Sequence, residues 1–168
     1  MKKSVRYVIY LAICAILVAL DQITKNLAVA ALKGKDNAVW IKNVFELEYC
    51  ENTGAAFSSF TGKQGFLLAI TSIVLVLILV EFVRIPEGKR YAGLRIDFLL
   101  IVAGAIGNMI DRVKQGYVVD FFYCVPINFP RFNVADVYVT VGMVMLVILL
   151  FILYKDDETE FLFKFKKK

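Results

Sequence analysis

The chain has 168 residues, 60% of them hydrophobic, with a mean hydropathy of +0.69 and a formal net charge of +5. Soluble domains are nearer half apolar, so this composition excludes an ordinary soluble protein and predicts one integral membrane domain over residues 1–168. The chain has no histidine, which excludes Ser-His-Asp and Cys-His catalysis in their usual form and most zinc sites. Lys and Arg beside the spans explain the positive charge better than nucleic-acid binding does.

Four apolar runs are long enough to cross a bilayer, which requires about 20 residues. We place these spans at about 7–30, 66–83, 94–113 and 134–154. The purely apolar part of the first run ends at Leu20, so its helix must continue through Asp21 and Lys25, which share one helix face. The basic, apolar N-terminus also resembles a signal peptide, but these two charges favour a retained span.

Basic residues predict the orientation of the spans. They precede the first span, crowd the short loop between the second and third, and follow the fourth, in a tail that ends KFKKK. By the positive-inside rule both termini are then cytoplasmic, and four acids share the outer interface: Asp21, Asp111, Asp120 and Asp136. A carboxylate at membrane depth is costly, so by default it marks a functional site.

Two outer loops connect the spans. The first, about 33–65, contains VWIKNVFELEYC, whose β-branched and aromatic residues predict a short sheet near the membrane. The second, 114–132, carries aromatic residues and two prolines and is expected to lie in the interface. The predicted fold is therefore an all-α membrane protein of four transmembrane helices with a small extracytoplasmic β-rich segment.

The three cysteines form no CxxC pair. Cys14 lies inside an apolar run and is expected to pack there. Cys50 and Cys124 could pair on the outer face, although free thiols are the favoured interpretation.

The third span ends in GAIGNMIDRV. Ala103 and Gly107 are small residues four apart, which lets a neighbouring helix approach closely. Asn108, Asp111 and Arg112, which follow in the sequence, share one helix face. For Arg112 a structural clamp is the favoured role, whereas for Asp111 a clamp and a catalyst remain equally supported.

Asp120 and Asp136 lie in unusual surroundings for acids. Asp120 stands in YVVDFFY, where poor solvation should raise its pKa, and an exposed loop acid is the alternative. Asn133 is placed to cap the fourth span, with Asp136 in its first turn. Two carboxyls held close together share one proton and can activate a water, which is aspartic-protease chemistry without histidine, serine or metal.

The segment ENTGAAFS follows the predicted sheet. Asn52 could hydrogen-bond an extended peptide, and Gly54 would let a substrate backbone approach closely. For this motif alone, an ordinary turn is the favoured interpretation.

Five motifs, DQITK, NTGAAFS, GAIGNMIDRV, VVDFF and FNVAD, occur in this order and together resemble the lipoprotein signal peptidases, the type II signal peptidases of bacteria. The resemblance covers the chain from Asp21 to Asp136. It implies an aspartic endopeptidase that removes the signal peptide of a diacylglyceryl-modified prolipoprotein just before the lipidated cysteine. It implies Asp120 and Asp136 as the catalytic pair. The supporting positions would be Asp21, Lys25, Asn52, Gly54, Asn108, Asp111, Arg112 and Asn133.

The resemblance further implies no cofactor and no metal. The expected partners are the lipidated precursor and membrane lipid, and we expect a monomer in the bacterial cytoplasmic membrane with its site at the outer face. The alternative is a small proton-coupled transporter, which would place ionisable groups near the midplane, where the spans read as apolar. A non-catalytic assembly factor would not explain two acids in separate apolar settings.

Overall fold

The computed structural model describes residues 3–54 and 62–163. The small residues that follow Gly54 in NTGAAFS, and the basic KFKKK tail, lie outside the described residues.

Four long helices make up most of the described chain. They are α1 (Lys3–Leu32), α2 (Gln64–Arg84), α3 (Ala92–Gln115) and α4 (Val134–Ile148), the last continuing as a π-helical turn, Leu149–Leu153. Each is long and apolar enough to cross a membrane, which confirms the predicted four-helix membrane fold. A short helix, α5 (Asp156–Phe163), follows them and was not predicted.

A three-stranded antiparallel sheet lies at one end of the helix bundle, which we call the sheet end. Its strands are β1 (Ala38–Ile41), β2 (Phe45–Asn52) and β3 (Val118–Cys124), in the order β1-β2-β3. The first two confirm the sheet predicted in the first outer loop. The third comes from the loop between α3 and α4, where no strand was predicted, because VVDFFYC pairs with β2 over a sequence distance that no local pattern reveals.

Helix α3 is the central element of the bundle. In the most apolar 18-residue stretch of α3, 56% of the residues are buried. In the corresponding stretches of the other three long helices 11% or less are buried, because their apolar side chains point outward. Such outward-facing apolar surfaces suit contact with lipid tails. The residues that reach the site from α3 are therefore enclosed by protein on several sides.

Glycines let α3 approach its neighbours closely. A Cβ at Gly104 would lie 2.5 Å from the carbonyl oxygen of Ala135 on α4, and one at Gly107 would lie 2.5 Å from Oδ2 of Asp21 on α1. Gly107 was predicted to permit a close approach, and the structure confirms it. The neighbouring Ala103 is fully buried.

One buried acid of the spans lies away from the four at the sheet end. Asp97 lies in the second turn of α3, is fully buried, and has no hydrogen-bond partner for either carboxylate oxygen among the described residues. Arg95 also belongs to α3, within the predicted third span, and its guanidinium donates to the carbonyls of Pro86 and, at 3.0 Å, Gly88.

The cysteines are free thiols at all three positions, each of which lies in the described part of the chain. Cys14 is buried in a cluster with Leu99 and Val102, as its apolar surroundings predicted. The favoured interpretation of Cys50 and Cys124 is thus confirmed.

Candidate active site

The structure brings every predicted site residue to the sheet end of the bundle. Helix α1 contributes Asp21 and Lys25, strand β2 contributes Asn52, and the turn after it contributes Gly54. Helix α3 contributes Asn108, Asp111 and Arg112. Strand β3 contributes Asp120, and the start of α4 contributes Asn133 and Asp136. Residues more than a hundred positions apart therefore meet in one polar cluster. Its members divide into an ionic part and a carboxyl pair.

The ionic part is centred on Lys25. Its ammonium lies 2.9 Å from Oδ2 of Asp21 and 3.0 Å from Oδ2 of Asp111, and it donates to Oδ1 of Asn108 at 2.8 Å. An ammonium has three N–H donors, so all of them have partners. The predicted one-face pairing of Asp21 with Lys25 is thus confirmed, and Asp111 completes a buried carboxylate–ammonium–carboxylate triad.

The two triad carboxylates also bind backbone. Oδ1 of Asp21 accepts from the backbone N–H of Ala135 at 2.9 Å, and Oδ2 of Asp111 accepts from that of Val119 at 3.2 Å. These bonds connect α1 to the start of α4, and α3 to β3. Because Lys25 and the backbone donors already neutralise and bind these acids, their arrangement suits a structural hub better than acid–base chemistry.

Gln22 belongs to this cluster and was missed by the sequence analysis. Its side-chain amide donates to Oδ1 of Asp111 at 2.9 Å and to the carbonyl of Gly107 at 3.2 Å. One signal could have found it, since Gln22 stands within DQITK, three residues before Lys25 on the same helix face.

Asp120 occupies the middle of β3 and is 1% exposed. Its Oδ2 accepts from the side-chain amide of Asn52 at 2.8 Å, and its Oδ1 accepts from that of Asn133 at 2.6 Å. Burial raises the pKa of Asp120 to about 7, and the nearby carboxylate of Asp136 adds to this rise, while the two amide hydrogen bonds oppose it. The prediction of a raised pKa from its apolar flanks is confirmed in direction.

Asp136 lies in the first turn of α4. Its Oδ1 accepts from the side-chain amide of Asn108 at 2.8 Å, and its Oδ2 accepts from the backbone N–H of Asn133 at 3.0 Å. In return, Oδ1 of Asn133 accepts from the backbone N–H of Asp136 at 3.0 Å, which makes a reciprocal capping box. The predicted cap is therefore present, and Asn133 contacts both Asp120 and Asp136.

Arg112 and Gly54 connect the turn after β2 to α3. Nη2 of Arg112 donates to the carbonyl of Gly54 at 3.0 Å, and Nη1 donates to the carbonyl of Asn108 at 3.3 Å. The backbone N–H of Gly54 donates to Oδ1 of Asn52 at 2.9 Å, so the side chain of Asn52 is fixed by Gly54 while its amide holds Asp120. These contacts suit the clamp role favoured for Arg112 from the sequence.

Asp120 and Asp136 open onto a cavity of about 920 Å³. Its walls come from α2 and α4 and its floor from α3, and most of the side chains along the helices are apolar, among them Val74, Ile78 and Val141. A cavity of this size and composition suits an extended apolar ligand. The carboxyl pair lies where such a ligand would leave the apolar walls and meet polar groups.

The carboxyl pair has the features of an acid–base catalyst. Two coupled carboxyls titrate as a pair, so one can hold a proton while the other is ionised near neutral pH. Asn133, Asn108 and Asn52 donate hydrogen bonds to them, which fixes their orientation. Within residues 3–54 and 62–163, no group of three His, Cys, Asp or Glu side chains is arranged to hold a metal ion.

Comparison with known proteins gives one consistent answer. The model of a family described as "Signal peptidase (SPase) II" matches residues 13–152. A "Lipoprotein signal peptidase" of Lactococcus lactis subsp. lactis is 45% identical over 140 residues, which cover 82% of this chain and 90% of the relative. A "Lipoprotein signal peptidase" of Brevibacillus brevis is 38% identical over 143 residues, which cover 85% of this chain and 95% of the relative.

Solved structures agree in fold. Two structures described as a bacterial membrane enzyme each superpose with a TM-score of 0.74. The first is 32% identical in sequence, and the match covers 84% of this chain and 86% of that structure's chain. The second is 31% identical, and the match covers 86% of this chain and 94% of that structure's chain.

Proposed function

This chain belongs to the signal peptidase II family of membrane-embedded peptidases, and we propose that it is an aspartic endopeptidase acting on diacylglyceryl-modified prolipoproteins. It would remove the signal peptide by cutting just before the lipidated cysteine. The observation that carries this proposal is the carboxyl pair, buried Asp120 and half-buried Asp136, held by Asn133 and opening onto an apolar cavity.

The pair supplies both halves of the chemistry. One carboxylate takes a proton from a water, whose oxygen attacks the scissile carbonyl, while the protonated partner polarises that carbonyl by donating a hydrogen bond. The tetrahedral intermediate then collapses, the C–N bond breaks, and a carboxyl proton passes to the leaving amine. A pKa of about 7 for Asp120 supports a protonated partner near neutral pH.

The cavity and the charges support the placement of the substrate. An apolar signal helix fits between α2 and α4, with its cleavage site at the carboxyl pair and the lipid tails of the cysteine in the bilayer. Basic residues such as Arg84, Lys89 and Arg90 lie at the end of the bundle opposite the sheet. By the positive-inside rule that end, with both termini, faces the cytoplasm and the site lies at the outer face.

Cleavage of a lipidated precursor in detergent tests the proposal. Asp120→Asn and Asp136→Asn keep the shape of each side chain but cannot exchange the proton, so we expect folded proteins that bind precursor and lose about 10²–10⁴-fold in turnover. Asp97→Asn is the matched control, because it changes a buried aspartate of the same bundle outside the site and should cut normally. Substantial cleavage by Asp120→Asn, with a folded but inactive Asp111→Asn, would move the catalytic role to Asp111.

A chelator separates this mechanism from a carboxylate-bound metal. A hard cation such as Mg²⁺ requires several oxygen ligands, and Lys25 already occupies the position between two of the four acids at this end, Asp21 and Asp111. We therefore expect EDTA to leave cleavage unchanged. Loss of cleavage that added metal restores would overturn the aspartic mechanism.

The orientation is tested by labelling an introduced cysteine, Gly88→Cys, in a variant without the native thiols. We expect labelling only from the cytoplasmic side. Labelling from outside would place the site on the inner face and contradict the proposed topology.

A further inference from the structure

Two threonines interrupt the apolar walls of the cavity. Thr71 lies on α2 and Thr140 on α4, and both line the same cavity as Asp120 and Asp136. Their helical neighbours in this wall are Val, Leu, Ile and Met side chains. The cavity therefore has one threonine in each of its two opposing walls.

The two threonine hydroxyls differ from other hydroxyls in the described helices. A hydroxyl inside a helix commonly donates to the carbonyl four residues earlier, and Ser72 does so to Leu68 at 2.7 Å. Thr24 likewise donates to the carbonyl of Asp21 at 2.8 Å. Among the described residues, the hydroxyls of Thr71 and Thr140 have no hydrogen-bond partner, so both remain available to a ligand.

The positions of Thr71 and Thr140 along their helices place both on the part of the cavity that leads to the carboxyl pair. Thr140 follows Asp136 by one helical turn on the same face, which places it about 6 Å further from the sheet end. Helix α2 begins at the sheet end with Gln64, so Thr71 lies about 10 Å along it. Thr140 therefore lies one turn beyond Asp136, and Thr71 lies about two turns along α2 from the sheet end, both among the residues that line the cavity.

The proposed reaction creates a need for donors at this depth. A carbonyl within a helix is shielded by the neighbouring turns, so the bond to be cut must lie beyond the end of the signal helix. The last four carbonyls of a helix have no partner within it, and an apolar cavity offers them no water. A threonine hydroxyl is a donor of the right kind, and its methyl group keeps the wall largely apolar when no substrate is bound.

We propose that Thr71 and Thr140 bind backbone carbonyls of the signal peptide just before the scissile bond, where its helix unwinds. This inference rests on the proposed function and adds two substrate-positioning residues to it. Because backbone carbonyls are the same in every peptide, such contacts would accept signal peptides of varied sequence. They would position the substrate without taking part in proton transfer.

Hydroxyl removal tests the inference. Thr71→Val and Thr140→Val keep the side-chain volume but lose the donor, and each should lower kcat/KM for a lipidated precursor about 3- to 10-fold. Thr71→Ser and Thr140→Ser keep the donor and should restore most of the loss. Ser72→Ala is the matched control, since that hydroxyl is already bound to its own helix and should leave cleavage unchanged.

A modified substrate tests the same contact on the unmodified enzyme. A precursor with a backbone ester near the cleavage site has a weaker carbonyl acceptor one to four residues before the scissile bond. The wild-type enzyme should cut it more slowly, and the double valine variant should show no further loss from the ester.

The outcomes are distinguishable. If the wild-type enzyme does not cut a lipidated precursor, the proposed function fails and this inference fails with it. If the wild type cuts while the double valine variant retains full kcat/KM, only the inference is overturned. A loss that serine does not restore would show that packing, and not the hydroxyl, is responsible, and would also overturn it.

Discussion

Helix α3 carries two buried aspartates that differ in their hydrogen-bond and ionic partners. Asp111, at the sheet end, contacts Lys25, Gln22 and the backbone of Val119. Asp97 lies about 21 Å further along the helix axis and has no hydrogen-bond partner among the described residues. Both side chains are almost fully buried. The same residue type in the same helix is thus part of a connected network at one end and isolated at the other.

This difference shows where the chain is built to hold charge. A buried charge is tolerated when a counter-charge and hydrogen bonds surround it, and is costly when it stands alone. At the sheet end, α1, α3, β3 and α4 all contribute partners, so four acids can be enclosed there. Variants that remove partners from the sheet end, or remove the acid from the other end, test this reading.

Removing the central cation should have the largest effect. Lys25→Met leaves Asp21 and Asp111 buried without their shared ammonium, which should cost about 3–5 kcal/mol of unfolding free energy. Thermal unfolding in detergent measures this. The control is Lys33→Met, whose partner Glu51 is also 2.9 Å away but at the exposed surface, and its unfolding temperature should barely change. An equal fall in unfolding temperature for the two variants would mean that burial of the triad does not increase its contribution to stability.

Separating α3 from α4 should have the next largest effect. Gly104→Ala would place a Cβ 2.5 Å from the carbonyl oxygen of Ala135, a backbone atom next to Asp136, at a cost of about 1–3 kcal/mol and with reduced cleavage. Gly93→Ala is the control at the opposite end of α3, where the nearest atom would be a Leu149 methyl at 3.4 Å. That variant should cut normally. Full activity of Gly104→Ala would show that this crossing does not position the pair.

The pH dependence should follow the pKa of Asp120. Because burial raises this pKa to about 7, the folded protein holds the proton more tightly than the unfolded chain. The stability from this group is therefore greatest at low pH and falls as pH rises toward 7, and kcat/KM should fall about tenfold per unit well above that pH.

Asn52→Leu sharpens this test. The amide of Asn52 stabilises the ionised form of Asp120, so its removal should move the alkaline limb of kcat/KM to higher pH. The position of the limb is the readout, since the rate itself could change for other reasons. A limb that stays in place, or moves to lower pH, would assign it to another group.

The isolated acid should give the smallest effect. Asp97→Leu replaces a polar group that has no partner in the described part of the chain with an apolar one, so it should leave cleavage within about twofold and raise the unfolding free energy by about 1 kcal/mol. The matched change at the sheet end, Asp111→Leu, should destabilise the protein, because it leaves Lys25 and Gln22 short of a partner. Destabilisation by Asp97→Leu would reveal a partner of Asp97 in the membrane.

The sequence by itself determined the spans and the local pairs. The length of an apolar run is a local property, so four transmembrane helices could be predicted from it. The Asp21–Lys25 contact and the Asn133 cap depend on spacing within one helix, and both are present. The motifs identified the family. Between Asp120 and Asp111, however, the residues alone gave only a modest preference, and the resemblance carried the choice of Asp120.

Tertiary structure decided everything that depends on how distant elements meet. The sequence did not reveal that β3 pairs with β2, that Gln22 and Lys25 reach Asp111, or that Asn133 contacts both carboxyls of the pair. It also did not reveal that the Asp97 carboxylate has no hydrogen-bond partner within residues 3–54 and 62–163. These outcomes depend on the rotation of each helix about its axis and on strand register, where a shift of a few ångströms exchanges one neighbour for another. Periodicity shows which residues share a face, but only packing determines what that face meets.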